Sequence, residues 1–72
     1  MNVNIESAGE IIAIVDFLQP PAVGDILDIG PRQARRLARY TVQKRHWQVL
    51  QAPSTSADDD LVMLTVVVEE VL

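Results

Sequence analysis

The chain has no cysteine, a single histidine and only three aromatic residues among its 72 residues. Without cysteine there are no disulfides and no thiolate zinc sites, and His46 alone excludes a histidine-rich metal site. No apolar run approaches the roughly 18–20 residues of a transmembrane helix, and the N-terminus lacks the features of a signal peptide. We therefore expect one small cytoplasmic domain spanning 1–72, stabilised by burial of Ile, Val and Leu.

Acidic residues are absent from Ile29–Ala57, and every lysine and arginine falls inside that window. The six cations lie within Arg32–Arg45, whereas five carboxylates precede the window and five follow it. The net charge of −4 therefore conceals a cationic centre between two acidic ends. This segregation favours a surface that meets an anionic partner. The competing interpretation pairs the arginines with Asp25, Asp28 or Asp58–Asp60, and the sequence does not decide between the two.

Apolar patterns along the chain predict about five short strands separated by turn residues. They cover Asn2–Ser7, Glu10–Leu18, Ile26–Ile29, Tyr40–Gln51 and Leu61–Val68. The second of these is apolar on both faces, which is typical of a central or covered strand. The predicted class is mainly β (α+β): a small, strongly curved antiparallel sheet or an SH3-like barrel.

The fourth predicted strand carries its apolar residues at two different parities. Tyr40 and Val42 fall on one face of a regular strand, whereas Trp47 and Val49 fall on the other. A β-bulge around Lys44–Arg45 would bring both pairs onto one face. A hairpin turn at that point is disfavoured because Gly, Asn and Asp are all missing.

A stripe of arginines follows Pro31, a residue suited to the first position of a helix. Four arginines recur at i, i+3, i+4 and i+7, opposite an apolar stripe that includes Leu37. This spacing predicts one short helix near 32–39, weakened by its like-charge pairs. Two further cations extend the same basic patch. The candidate partner-binding residues are therefore Arg32, Arg35, Arg36, Arg39, Lys44 and Arg45.

Tyr40 and Trp47 lie close to these cations, and aromatic rings beside basic residues bind single-stranded nucleic acid by stacking. The alternative is that both rings are core anchors of a strand, which we prefer because two rings are few. An exposed Trp47 beside Arg45 would reverse that preference. The acidic net charge argues against nonspecific nucleic-acid binding.

No residue constellation predicts catalysis, a cofactor or a metal site. Asp58–Asp60 lacks the spacing of a calcium loop and is better explained as a charged guard before an apolar strand. His46 has no nucleophile or carboxylate at an informative spacing. The surplus of apolar strand faces favours a homodimer or a hydrophobic docking surface for another protein.

Part of the chain resembles a pattern found in short β-rich proteins of phages and prophages. The pattern is Val23-Gly24-Asp25-x-Leu27 followed by Tyr40-x-Val42-x-x-Arg45-x-Trp47, with Pro31–Ala38 as an insertion. The resemblance implies a phage or mobile-element origin rather than a mechanism. Small acidic phage proteins often bind a host machine, which fits the absence of catalytic chemistry, so we expect a non-enzymatic regulator or adaptor in the host cytoplasm. Its most concrete form is a modulator of the host transcription machinery that binds RNA polymerase. The alternatives are a small β-barrel module that binds nucleic acid and a structural subunit of a phage assembly.

Overall fold

Five strands form one curled sheet, a half-barrel, in a computed structural model that describes residues 1–30, 36–53 and 60–72. The strands are β1 (Asn2–Ser7), β2 (Glu10–Asp16), β3 (Ile26–Ile29), β4 (Ala38–Leu50) and β5 (Leu61–Glu70). Their spatial order is β2-β1-β5-β4-β3. The mainly β prediction is confirmed. The predicted antiparallel sheet is wrong in one pair, because β1 and β5 run parallel.

The parallel pair follows from the connection between β2 and β3, which joins the two opposite edges of the sheet. This connection contains a turn in which the Asp25 amide donates to the Ala22 carbonyl at 3.0 Å and the Asp25 carboxylate accepts from the Ala22 amide at 2.8 Å. Gly24 has a φ of 93°. Glycine adopts this conformation with little strain because it has no Cβ. Its amide donates to the Val42 carbonyl at 2.9 Å, so the turn is attached to β4.

The core lies on the concave face of the three central strands. Alternate residues are buried there, Val3 and Ile5 in β1 and Leu64, Val66 and Val68 in β5, as the period of a strand with one covered face requires. Partly buried residues of the edge strands, such as Val15 and Leu27, pack against this centre. The buried core residues are Val3, Ile5, Tyr40, Val42, Leu64, Val66 and Val68.

The prediction that the second strand is central or covered on both faces is wrong. β2 is an edge strand, because β1 occupies one side of it and no other described strand pairs with its second side. Ala13 and Val15 face the core, whereas Ile11 and Ile14 are exposed on the outer face. The apolar residues on the second face of β2 are therefore exposed, and they do not indicate a central strand.

The helix predicted near 32–39 is also wrong wherever the structure describes it. Ala38 and Arg39 begin β4 and pair with Ile29 and Asp28 of β3, while Leu37 remains exposed. Residues 31–35 lie outside the described residues. Pairing with β3 places Tyr40 in the core, and that burial outweighs a helical spacing already weakened by arginine repulsion. None of the described residues belongs to a helix, so no described helix could cross a membrane.

The turn between β1 and β2 gives a prediction about stability. Ala8 and Gly9 both have positive φ, 52° and 82°, as the type I′ turn of a two-residue hairpin requires. An alanine in this conformation costs roughly 1–2 kcal/mol, and asparagine adopts it more readily. We expect Ala8→Asn to stabilise the chain by about 0.5–1 kcal/mol in urea denaturation. Ala22→Asn is the control, and an equal gain from it would contradict the assignment of this effect to the β1–β2 turn.

Candidate partner-binding surface

The paired ends of β4 and β5 project beyond the rest of the sheet. β3 pairs with β4 only as far as Thr41, and β1 pairs with β5 only from Leu64 onward. We define the arm as Lys44–Leu50 of β4 with Leu61–Met63 of β5. Gln48–Leu50 and Leu61–Met63 project beyond the sheet, whereas Lys44–Trp47 pair with the part of β5 that β1 flanks and lack a neighbour only on the β3 side. The chain measures 46 Å along its longest axis and has a radius of gyration of 14.0 Å, against about 11 Å for a compact chain of this length.

A β-bulge at Gln43 determines which residues of the arm share a face with the core. The register of β4 against β5 shifts between Val42 and Lys44, and the Gln43 side-chain amide donates to the Glu69 carboxylate at 3.0 Å. Beyond the shift, Trp47 and its alternate neighbours continue the concave face that Val42 occupies. The predicted bulge is therefore confirmed, centred one residue before the expected position.

Asp60 closes the base of the loop at the end of the arm. Its Oδ1 accepts a hydrogen bond from the Ala52 amide at 2.9 Å, next to the pair formed by Leu50 and Leu61. The sequence predicted only a guarding charge at this position. Asp58 and Asp59 lie outside the described residues, so the rest of that prediction is not tested.

The concave face of the arm exposes an aromatic and basic cluster. Trp47 is 47% exposed, and the Arg45 guanidinium carbon lies 5.6 Å from the centroid of its ring, within the range of a cation–π interaction. Val49 and Val62 continue this face toward the tip and are also exposed. The core prediction for Trp47 is therefore wrong, because no described strand covers the arm on this side.

The opposite face of the arm is apolar as well. Leu50, Leu61 and Met63 are exposed there, next to the polar side chains of Lys44 and His46. With Trp47, Val49 and Val62, six apolar side chains of the arm are each roughly half exposed. Three of these side chains lie on each face, so the arm exposes two apolar patches on opposite sides rather than one continuous patch.

The predicted arginine patch does not form one surface among the described residues. Arg39 is bound to Asp28 through two hydrogen bonds, from Nε at 2.9 Å and from the terminal guanidinium nitrogen at 3.2 Å. Lys44 and Arg45 are consecutive in β4 and therefore point to opposite faces. Arg36 is exposed at a bend, whereas Arg32 and Arg35 lie outside the described residues. For Arg39, the interpretation that the chain's own acids bind the arginines holds.

The Arg39–Asp28 pair predicts a specific titration. The hydrogen bond from Arg39, followed by its charge, lowers the pKa of Asp28 below its ordinary value of 3.8 and raises that of Arg39. Because the pKa of Asp28 is lower in the folded chain than in the unfolded chain, the pair stabilises the fold at pH values above the ordinary pKa of 3.8. This stabilisation is lost as the pH falls through the pKa of the folded chain. We expect Arg39→Gln to raise the Asp28 pKa, measured by NMR titration of its carboxyl carbon. Arg36→Gln should leave this pKa unchanged, and an equal rise there would contradict the assignment.

Tyr40 does not belong to the stacking surface that the sequence suggested. It is 9% exposed and packs among the buried residues of the core, opposite Leu27 of β3. Of the two candidate rings, only Trp47 is accessible. The stacking hypothesis therefore keeps one aromatic residue and one adjacent guanidinium.

The described ranges 1–30, 36–53 and 60–72 bring no three His, Asp or Glu side chains together as metal ligands would require. A groove of about 310 Å³ opens between β2 and β3, where Val15 and Phe17 face Leu27 and Ile29. Asp28 is the charged side chain that lines this groove, and Arg39 already binds it. The groove therefore lacks the convergent polar groups that usually orient a ligand.

No family model, no curated protein and no solved structure matches this chain.

Proposed function

We propose that this chain is a non-enzymatic adaptor or regulator that binds a protein partner through the arm. The observation that carries the proposal is the arm itself, a strand pair with exposed apolar side chains on both faces and with the Arg45 guanidinium over the ring of Trp47. A folded chain that leaves this much apolar surface uncovered favours a binding role for it.

The composition of the arm matches that of protein interfaces. Aromatic residues, Met and Arg are enriched in such interfaces, and charged residues are sparse in their centre but common at their rim. In the arm, Trp47 and Met63 lie among valines and leucines, while Lys44 and Arg45 lie at its base. Tryptophan and arginine are also the residues that most often dominate binding energy.

The main contact with the partner then lies on the arm and not on the arginine stripe. Arg39 is bound to Asp28, which leaves Arg36, Lys44 and Arg45 as exposed described cations that add charge complementarity to an acidic partner. Host RNA polymerase remains a predicted partner on the strength of the phage resemblance, and the capture experiment below tests it.

The test is capture from a lysate of the cells in which the chain occurs, after nuclease treatment. Four baits are compared: the unaltered chain, a Trp47→Ala and Val49→Ser arm variant, a variant with Arg32, Arg35, Arg36 and Arg39 changed to Glu, and Leu18→Ala. Leu18 is an exposed apolar residue outside the arm, so its variant serves as the matched control. We expect the same protein to be recovered by the unaltered chain and by Leu18→Ala, and lost with the arm variant.

Recovery that survives the arm variant but not the arginine variant would reject the arm as the main contact and restore the arginine hypothesis. Circular dichroism of all four baits establishes that they are folded. Mass spectrometry of the captured protein shows whether it is an RNA polymerase subunit.

A second candidate function is binding of single-stranded nucleic acid, favoured by the exposed ring of Trp47 beneath Arg45. Trp47 is the only tryptophan of the chain, so its fluorescence reports on this site alone. Stacking of a base predicts quenching by a single-stranded oligonucleotide at low salt, lost steeply as salt is added. Unchanged fluorescence at low salt would end this hypothesis.

A further inference from the structure

The arm has an open edge as well as two open faces. The turn at Gly24 and Asp25 hydrogen-bonds to β4 at Val42, and no described strand pairs with the outer side of β4 from Gln43 to Leu50. An unpaired edge presents backbone N–H and C=O groups that can receive another strand. The faces of the arm supply side chains to a partner, whereas this edge supplies backbone, so the two can be occupied together.

Two copies of this edge can pair antiparallel without a charge clash. Centred on Trp47, the pairing sets Trp47 opposite Trp47, Arg45 opposite Val49, and His46 opposite Gln48 of the other copy. No like charges are then directly opposite, which is the arrangement that destabilises a strand pair. A two-fold axis relates the copies, the commonest symmetry of soluble oligomers.

The charges at the two ends of the edge also match in this arrangement. Lys44 of one copy lies beside Leu50 of the other, whose neighbouring strand β5 is preceded by Asp60. Two strand spacings, roughly 10 Å, separate the Lys44 backbone from that of Asp60, which is close to one Debye length at physiological salt. The cationic base of each arm therefore lies near the acidic tip of the other.

The other long edge of the sheet lacks this property. Pairing two copies of β2 antiparallel over its seven residues sets Glu10 of one copy opposite Asp16 of the other, at both ends. Like charges directly opposite one another are destabilising, so β2 is the poorer edge for self-association.

We infer that a second copy of this chain pairs with the open edge of β4, so that two arms form one four-stranded sheet related by a two-fold axis. Both copies then contribute Trp47 to the same face, where the two rings lie side by side at the two-fold axis. The role of the dimer in partner binding rests on the proposed function, but the pairing itself can be tested on the isolated chain.

Cysteine crosslinking tests the register, because the chain has no cysteine of its own. His46→Cys and Gln48→Cys are prepared separately, one of them with a tag that changes its mass. Mild oxidation of the mixture should give the mixed disulfide, since the two positions are directly opposite. Each variant alone should crosslink much less, because its cysteines are then diagonal and about 7–8 Å apart. Equal crosslinking of the mixture and of the single variants would overturn the register.

A pair of charge variants tests the same contact by sedimentation. Val49→Glu and Val49→Arg remove the same apolar side chain, but only the first places an opposite charge against Arg45 of the other copy. We expect the glutamate variant to dimerise about tenfold more tightly than the arginine variant, because the contact occurs twice in the dimer. Equal dimerisation, or a chain that stays monomeric at high micromolar concentration, would overturn the inference.

Dimerisation through the β4 edge and partner binding through the arm can be tested independently. Loss of dimerisation with unchanged capture of the partner would remove the inference and leave the proposed function. A dimer that captures no partner would reject the proposed function and leave the inference. Self-association without the His46–Gln48 crosslink would assign the contact to another edge, such as β2, and would overturn the pairing of arms.

Discussion

Leu64→Ala is expected to destabilise the chain by about 3 kcal/mol and to lower its melting temperature by roughly 10–20 °C. Leu64 is 0% exposed and lies in β5, the middle strand of the sheet, between Val3 of β1 and Trp47 of β4. Truncation to alanine removes most of this buried side chain and leaves a cavity in the core where it packed beside Val3 and Trp47. A chain of this size has only about 4–11 kcal/mol of total stability, so the loss is a large fraction of it.

Leu61→Ala is the matched control, since Leu61 has the same side chain in the same strand but is 61% exposed in the arm. Its truncation should change the free energy of unfolding by less than about 0.5 kcal/mol. Urea denaturation of both variants measures the difference. Similar losses for the two variants would show that the arm is packed against something and is not a projecting strand pair.

Trp47→Ala is expected to weaken binding of the captured protein by about 30-fold or more, which corresponds to roughly 2 kcal/mol or more at an interface centre. The indole is the largest exposed apolar group of the arm, and Arg45 holds its ring in place by the cation–π contact. Its removal takes away apolar contact area and leaves the Arg45 guanidinium without its aromatic partner. Trp47→Phe keeps a ring and should recover part of the affinity.

The stability of Trp47→Ala distinguishes binding from folding in this experiment. Because the ring is about half exposed, its loss should cost less stability than that of Leu64. Titration calorimetry with the purified partner gives the affinities, and urea denaturation gives the stabilities. An affinity unchanged by Trp47→Ala would remove this residue from the interface.

Much of the strand content follows from local sequence. The alternation of Asn2–Ser7 and the turn residues around Ile26–Ile29 define β1 and β3 to the residue. The bulge at Gln43 was also predictable, because two apolar pairs at different parities cannot both face one core without it. These features depend on neighbours within a few positions of one another.

The start of β4 could not be predicted in the same way. Ala38 and Arg39 belong to an arginine spacing that reads as helical, and the pairing that overrides it is with Ile29 and Asp28 across a connecting segment. Strand pairing of this kind is decided by tertiary contacts, which outweigh local propensity. The same is true of β2, whose apolar faces resemble those of a central strand although it lies at an edge.

The exposure of the arm was missed for a related reason. The apolar composition of Trp47, Val49 and Leu61 is that of a core, and the local pattern around them does not show which strands lie beside them. One signal was present: the fourth predicted strand was about twice as long as the first, so its end had to lie beyond the cover that β1 could give. Strand length, compared across neighbours, was the observation that pointed to a projecting arm.

Hydrogen exchange of the chain, alone and bound to the protein it captures, tests the central claim most directly. Binding through the arm predicts slower amide exchange in Lys44–Leu50 and Leu61–Met63, with little change in the β1–β2 hairpin. Slower exchange confined to Arg36–Arg39, with the arm unaffected, would contradict the claim and assign the interface to the arginines.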